Sequence, residues 1–197
     1  MRITGGVWRG RKLSSPAGQG GSASIRPTAD RLRESLFNIL AHSLGDPVSG
    51  AHVIDLFSGT GALGLEALSR GARFALLVDD GAEARALIRA NVETLGCGGA
   101  TRVFRRDATR LGAAPASDRY SLAFLDPPYG KGLAEPALVA LRDGGWLTPG
   151  AVCIVEEAAD ARLALLAGFE EVDRRDYGGT QMTILRRTSD LTGANQT

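Results

Sequence analysis

A single α/β domain, with a mostly parallel sheet between layers of helix, accounts best for this chain. Three observations lead there. From residue 51 onward, apolar runs of strand length alternate with stretches of helical periodicity, the pattern of βα units whose crossovers cover both faces of a sheet. A glycine-rich turn, Gly59, Gly61 and Gly64, separates the first run from the next helix, where doubly wound sheets bind ligands. The last two runs are parted only by Tyr177-Gly178-Gly179, so they read as a hairpin that adds an antiparallel edge strand. A length of 197 residues, 44% of them hydrophobic and 23% charged, suits one core with a small appendage.

The elements follow in order. Residues 1–13 alternate loosely through Ile3, Val7, Trp8 and Leu13 around Gly5, Gly6 and Gly10, which suggests short twisted strands or a hairpin. Residues 16–24 have the composition of a flexible loop. A helix opens at Pro27-Thr28, with Thr28 as its N-cap and Leu32, Leu36, Ile39 and Leu40 on one face. Residues 44–50 are a linker. Beyond it the pattern predicts strands 51–57, 73–79, 101–105, 120–126, 150–156, 169–176 and 180–187. Helices are predicted at 61–70, 82–95 and 133–142, with a short one at 159–167. The predicted organisation is thus an appendage over residues 1–45, a main domain over 46–187 and a polar, disordered tail over 188–197.

Composition excludes several classes. No apolar run approaches the roughly 20 residues of a membrane span, and the N-terminus lacks the apolar core of a secretory signal. Cys97 and Cys153 match no metal spacing and read as reduced, structural thiols. No metal site is expected. His42 and His52 have no partner pattern, and Trp146 reads as a packing residue. A cytoplasmic protein is the expectation, and a monomer.

The net charge of +1 hides an asymmetry. Residues 1–33 carry seven bases (Arg2, Arg9, Arg11, Lys12, Arg26, Arg31, Arg33) against one acid, Asp30, while the remainder carries a net −5. A basic arm on an acidic body suits a polyanion such as nucleic acid. Trp8 reads equally as an RNA contact or as the anchor of its hairpin.

Two motifs carry chemistry. The turn Asp55-Leu56-Phe57-Ser58-Gly59-Thr60-Gly61-Ala62-Leu63-Gly64 ends a buried strand and opens a helix, where glycines let a ligand approach a helix N-terminus. Asp79 follows Gly59 by 20 residues, a spacing that also fits a dinucleotide site. Asp55, four residues before Gly59, would repel a pyrophosphate and attract the cationic S-adenosylmethionine. The second motif is Asp126-Pro127-Pro128-Tyr129, at the end of the run 120–125. Its acid and the Pro127 carbonyl can each accept one hydrogen of a planar exocyclic amine, and Tyr129 can stack on the base that bears it. The ends of the first four predicted strands would carry the glycine loop, Asp79, Arg106-Asp107-Ala108 and Asp126 to one rim. Asp107 could accept from an adenine amine there, or serve only as a solvated turn acid.

These segments together resemble the RsmD family of 16S ribosomal RNA guanine-N2 methyltransferases, within the class I S-adenosylmethionine-dependent methyltransferases. The resemblance rests on residues 3–13, on 25–37, on 55–70 and on Asp126 to Tyr129, and spans residues 2 to about 187. The two N-terminal segments are the most family-specific. The resemblance implies a Rossmann-like class I methyltransferase fold: a mostly parallel seven-stranded sheet with an antiparallel C-terminal hairpin and a small N-terminal β-hairpin and helix. It implies S-adenosylmethionine bound by Asp55, Phe57, Gly59, Gly61, Gly64, Asp79, Asp107 and Ala108. Catalysis would fall to Asp126, Pro127, Pro128 and Tyr129, and RNA binding to Arg2, Trp8, Arg9, Arg11, Lys12, Arg26 and Arg31. The partner would be 16S ribosomal RNA, within the 30S subunit or an assembly intermediate. The family usually has Glu at the ribose position; here Asp79 and Asp80 stand side by side, and either could hold the ribose. Adenine-N6 methylation uses the same Asp-Pro-Pro-Tyr chemistry and is the nearest alternative. A dinucleotide-dependent oxidoreductase is the more distant one. The choice of guanine rests on residues 2–37.

Overall fold

The structure, a computed structural model, describes residues 1–16, 26–161 and 163–189, and in the first helix it describes side chains from Asp30 onward. The flexible-loop expectation for 16–24 therefore falls almost wholly outside the described residues, and so does most of the expected tail.

Seven strands form one sheet: β1 His52–Leu56, β2 Phe74–Val78, β3 Thr101–Phe104, β4 Tyr120–Leu125, β5 Leu147–Ala158, β6 Phe169–Tyr177 and β7 Thr180–Arg187. Their order is β3-β2-β1-β4-β5-β7-β6. The first five run parallel, and β7 lies antiparallel between β5 and β6. Strand order reverses between β1 and β4, so a crevice opens beyond their carboxyl ends. The expected antiparallel edge strand needs correction: the strand that runs against the others is β7, inside the sheet. The edge is β6, which runs with the first five and whose Glu170, Glu171, Asp173, Arg174, Arg175 and Asp176 line it with charge, a composition that discourages edge-to-edge pairing.

Successive residues of the central strands serve two cores, as a pleat with a period of two requires. Val53, Leu77, Leu122 and Phe124 pack on one face against helices α1 Arg26–Ser43, α2 Ala62–Ser69 and α3 Ala82–Leu95. Ile54, Leu76, Ala123 and Leu125 pack on the other against α4 Ala134–Asp143, with Tyr120 and Trp146 stacked beside them. Trp146 is buried and donates its indole N–H to the Gly112 carbonyl, as a packing tryptophan must.

Ile3 and Leu13 of the N-terminal segment join the same core as Leu36, Phe37 and Leu40 of α1. Of the expected strands or hairpin over 1–13, a short antiparallel hairpin forms. Its bridge between Arg2 and Lys12 is flanked by bonds from Ile3 N–H to the Arg11 carbonyl and from Leu13 N–H to the Met1 carbonyl, and it ends in a 3₁₀ turn at Gly6–Trp8. The reason is Gly6. It sits at φ 74°, and a Cβ there would meet the Ser69 carbonyl oxygen at 1.8 Å, so the chain turns in against α2 instead of continuing extended.

Two further expectations need correction. Thr28 lies inside α1, not ahead of it, so it is no N-cap. The helix expected at 159–167 does not form: β5 runs on to Ala158, and the described residues up to Gly168 make turns and irregular chain. Nine residues make a marginal helix on their own, and this segment is tied elsewhere. Ala159 N–H bonds the Gly179 carbonyl, Ala164 N–H bonds Glu135, and Leu163 and Leu166 reach back to the second core.

Candidate active site

The glycine loop is held by polar contacts from the ends of two strands. Asp55, at the buried end of β1, accepts the Gly64 N–H on Oδ2 at 2.9 Å. Ser58 donates to the Asp55 and Val78 carbonyls. Asp79, just past β2, accepts the Gly59 N–H at 2.9 Å with one oxygen and the Gly81 N–H at 2.8 Å with the other. Phe57 sits in the left-handed region at φ 57°, a costly conformation for an aromatic residue that the loop bonds on either side enforce. Gly64 is required by packing: a Cβ would lie 2.4 Å from Leu77 Cδ2.

Burial pushes the Asp55 carboxyl up to about 7; the Gly64 N–H opposes the shift and the charge of Asp79 adds to it. A cation placed here would therefore bind with release of a proton near neutrality.

Asp126 follows β4 on the same rim. It opens onto the crevice while protein crowds its remaining sides, and its carboxyl lies well above the usual range. Burial is the main cause, followed by the charges of Glu156, Asp55 and Glu157. Pro127 is buried, while Pro128 and Tyr129 are exposed. The Tyr129 hydroxyl donates to Glu156 Oε1 at 2.8 Å and lies 3.1 Å from Thr180 Oγ1. Burial and the neighbouring Glu156 and Asp126 charges raise its phenol further.

Two cavities meet at this rim. One, of about 460 Å³, runs from Asp55 and the Ser58–Thr60 turn past Glu83 and Leu87 to Asp126 and Glu156, with Met1, Leu32 and Leu36 across it. The other, about 520 Å³ and more open, is bounded by Phe57, Gly59, Asp79, Asp80 and all of Asp126 to Tyr129. Phe57, Gly59 and Asp126 line both. Asp107 and Ala108 line neither. Asp107 Oδ1 accepts the Thr109 N–H and hydroxyl, which holds its carboxyl low, and Ala108 is buried in the second core.

The family model described as Conserved hypothetical protein 95 matches residues 1–186. Ribosomal RNA small subunit methyltransferase D of Escherichia coli K12 is 41% identical over 180 residues, 91% of this chain and 85% of that protein. The chain belongs to the RsmD family of methyltransferases. The relative of the same name from Haemophilus influenzae is 34% identical over 165 residues, 83% of this chain and 81% of that one. Among solved structures, the yhhF protein of Escherichia coli superposes with a TM-score of 0.80 at 34% identity, covering 96% of this chain and 99% of that chain. The HI0767 protein of Haemophilus influenzae gives 0.77 at 27%, with the same coverage.

In this RsmD-family chain the basic residues divide. Arg2, Arg9 and Arg31 border one groove, together with the acids Asp30 and Glu34, and Arg2 and Lys12 border a neighbouring hollow. Arg2, Arg9, Arg11, Lys12 and Arg31 are all exposed. Trp8 is half-buried against the core, and its backbone N–H bonds Ser69 Oγ. The Arg26 side chain lies outside the described ones. Arg33 is buried and paired with Glu66 and Asp30, so it is a structural base.

Sequence reasoning assigned no role to Glu66, Asn91 or Glu156. Asn91, fully buried, donates to the Thr60 and Ser14 carbonyls and accepts the Ser14 N–H. It thereby binds the glycine loop to the N-terminal segment. The signal was available for the first two: each is a polar residue on the apolar face of a helix, between positions that must be buried.

Proposed function

We propose that this chain transfers the methyl group of S-adenosylmethionine to the N2 amine of a guanine in small-subunit ribosomal RNA, in the cytoplasm. The observation that carries the reading is that Asp126 and the glycine loop line the same two cavities. An acceptor amine at Asp126 and a donor on the loop would then share one space.

The residues present fit S-adenosylmethionine. A turn without a side chain at Gly59, where a Cβ would meet nothing closer than the Phe57 carbonyl oxygen at 3.9 Å, an acid at Asp55 for a cationic ligand, and Asp79 fixed beside Gly59 are what its amino acid and ribose ends need. Gly61 lines neither cavity and faces Leu65, Leu77 and Ile88 of the core. Asp79 is the better candidate for the ribose, because two backbone donors fix its orientation, whereas Asp80 is exposed. When bound, the cofactor supplies an electrophilic methyl on a sulfonium with a neutral thioether leaving group.

The protein supplies alignment. A guanine amine is a weak nucleophile because its lone pair is delocalised into the ring. Asp126 and the Pro127 carbonyl each accept one amine hydrogen and favour a pyramidal nitrogen. The proline pair keeps that carbonyl rigid, which limits the entropy lost in aligning the amine. Tyr129, 46% exposed as a residue and with its hydroxyl fixed by Glu156 and Thr180, offers a face for a base drawn out of its stack. The basic groove formed by Arg2, Arg9 and Arg31 would meet the RNA backbone.

The test is tritiated methyl transfer to 30S particles, and separately to naked 16S RNA, from a strain lacking this activity, followed by nucleoside analysis. N2-methylguanosine is expected. N6-methyladenosine as the product would overturn the reading.

A further inference from the structure

The Asp-Pro-Pro-Tyr segment grips an amine without naming the base that carries it. In the parallel pairing of β4 with β5, Leu125 stands opposite Val155, so the next residues on the two strands, Asp126 and Glu156, are neighbours. Adjacent strands lie about 4.8 Å apart, and residues at the same level project to the same face. Both acids accordingly border the 460 Å³ cavity. Glu157, one residue on, turns the other way and is buried.

Glu156 is oriented and only half used. Its Oε1 accepts the Tyr129 hydroxyl at 2.8 Å, and no group among the described residues bonds its Oε2. Its partner on the other side in the sheet is Met182, an apolar side chain on the same cavity. Among the described residues the cationic side chain on this cavity is Arg33, and it is committed to Glu66 and Asp30. Two carboxylates set side by side without a cation repel each other, and a ligand edge with adjacent donors relieves that repulsion.

Purine edges differ at this point. Guanine presents two adjacent donors, N1–H and the N2 amine. Adenine presents its N6 amine beside N1, a lone pair. We infer that Glu156 determines base specificity, its free carboxylate oxygen accepting the N1–H of a guanine whose N2 amine is held by Asp126. An adenine in the same place would set the N1 lone pair against that oxygen. The inference rests on the proposed guanine-N2 reaction and adds a residue outside the N-terminal segments to the choice of base.

2-Aminopurine separates the two ideas, because it keeps the C2 amine and replaces the N1–H with a lone pair. Once the target nucleotide is mapped, 16S RNA carrying guanosine or 2-aminopurine at that position is made by splinted ligation and tested as the substrate form that is active. Single-turnover methylation by the full-length protein should favour guanosine by about 10–100-fold, the discrimination that one well-placed paired contact gives. Glu156→Gln, whose amide can turn either a donor or an acceptor toward N1, should reduce that preference to within about threefold. Cofactor affinity, measured by calorimetry, should stay near that of the parent.

Equal rates on the two bases with the parent protein would overturn the inference without any variant, and so would a preference that survives in Glu156→Gln. Absence of N2-methylguanosine with the parent would instead overturn the reaction itself.

Discussion

Glu66, with no exposed surface, holds the guanidinium of Arg33 at 3.2 Å. The same carboxylate accepts the Thr4 N–H and hydroxyl, the Gly5 N–H and Arg70 Nε, each at 2.8 Å. One acid on α2 thus ties the N-terminal segment and α1 to the helix that opens at the glycine loop.

Glu66→Ala removes every one of these acceptors: two backbone donors lose their partner, Arg33 keeps only Asp30 as a counter-charge, and Arg70 loses its carboxylate and keeps the Thr4 hydroxyl. Losing one partner of a buried ion pair typically costs about 3–5 kcal/mol. Urea unfolding of Glu66→Ala should show a loss of that order. A loss below about 1 kcal/mol would mean that water replaces the carboxylate and the network contributes little.

The strands were legible in the sequence because Val53 to Phe57, Ala75 to Val78 and Tyr120 to Leu125 are apolar except at Asp55 and Ser121, as strands buried on both faces largely are. The glycine loop and Asp126 were legible because local backbone chemistry fixes their shape. What stayed hidden depends on partners distant in sequence. Glu66 meets Thr4 across 62 residues and Asn91 meets Ser14 across 77, and no local pattern encodes such a pairing. The failed helix at 159–167 has the same origin: its alanines and leucines favour helix locally, while the bonds of Ala159 and Ala164 to distant groups hold the chain irregular.

If the proposed role holds and this carboxylate contacts the acceptor amine, Asp126→Ala should lower the single-turnover methylation rate about 100-fold or more and leave S-adenosylmethionine affinity within a few-fold. In the parent protein the rate should also fall as pH drops. The Asp126 carboxyl is raised by burial and by neighbouring acids, so protonation removes an acceptor from the amine at a pH above the ordinary carboxylate range. A rate that is flat down to the ordinary range, or full activity in Asp126→Ala, would remove Asp126 from the reaction.

Replacing Arg2, Arg9 and Arg31 together by alanine should weaken RNA binding and flatten its salt dependence. Each neutralised phosphate contributes roughly 0.7–0.9 to the slope of log affinity against log salt, so three lost contacts should reduce it by about 2. Filter binding from low to moderate salt measures the slope. An unchanged slope would assign the groove, which also contains Asp30 and Glu34, to structure alone.

Asp55 gives a prediction whose sign can be fixed in advance. Its carboxyl has an ordinary value of 3.8 and is pushed up to about 7 in the folded protein, chiefly by burial. Between those two values the folded state keeps a proton that the unfolded state has lost, so this group's contribution to stability is full below 3.8 and declines as pH rises to about 7. The loss is at most about 4 kcal/mol at 1.4 kcal/mol per unit. Asp55→Asn carries no charge and can still accept the Gly64 N–H. Without cofactor, the variant should therefore gain on the parent as pH rises, and at pH 8 it should be the more stable of the two. With saturating S-adenosylmethionine the order should reverse, because only the ionised aspartate attracts a cationic ligand and repays its own burial. Urea unfolding at pH 4.5 and 8, with and without cofactor, measures all four cases. Parallel pH dependence in the two proteins would mean that Asp55 is already ionised in the fold, and failure to reverse would separate it from the cofactor.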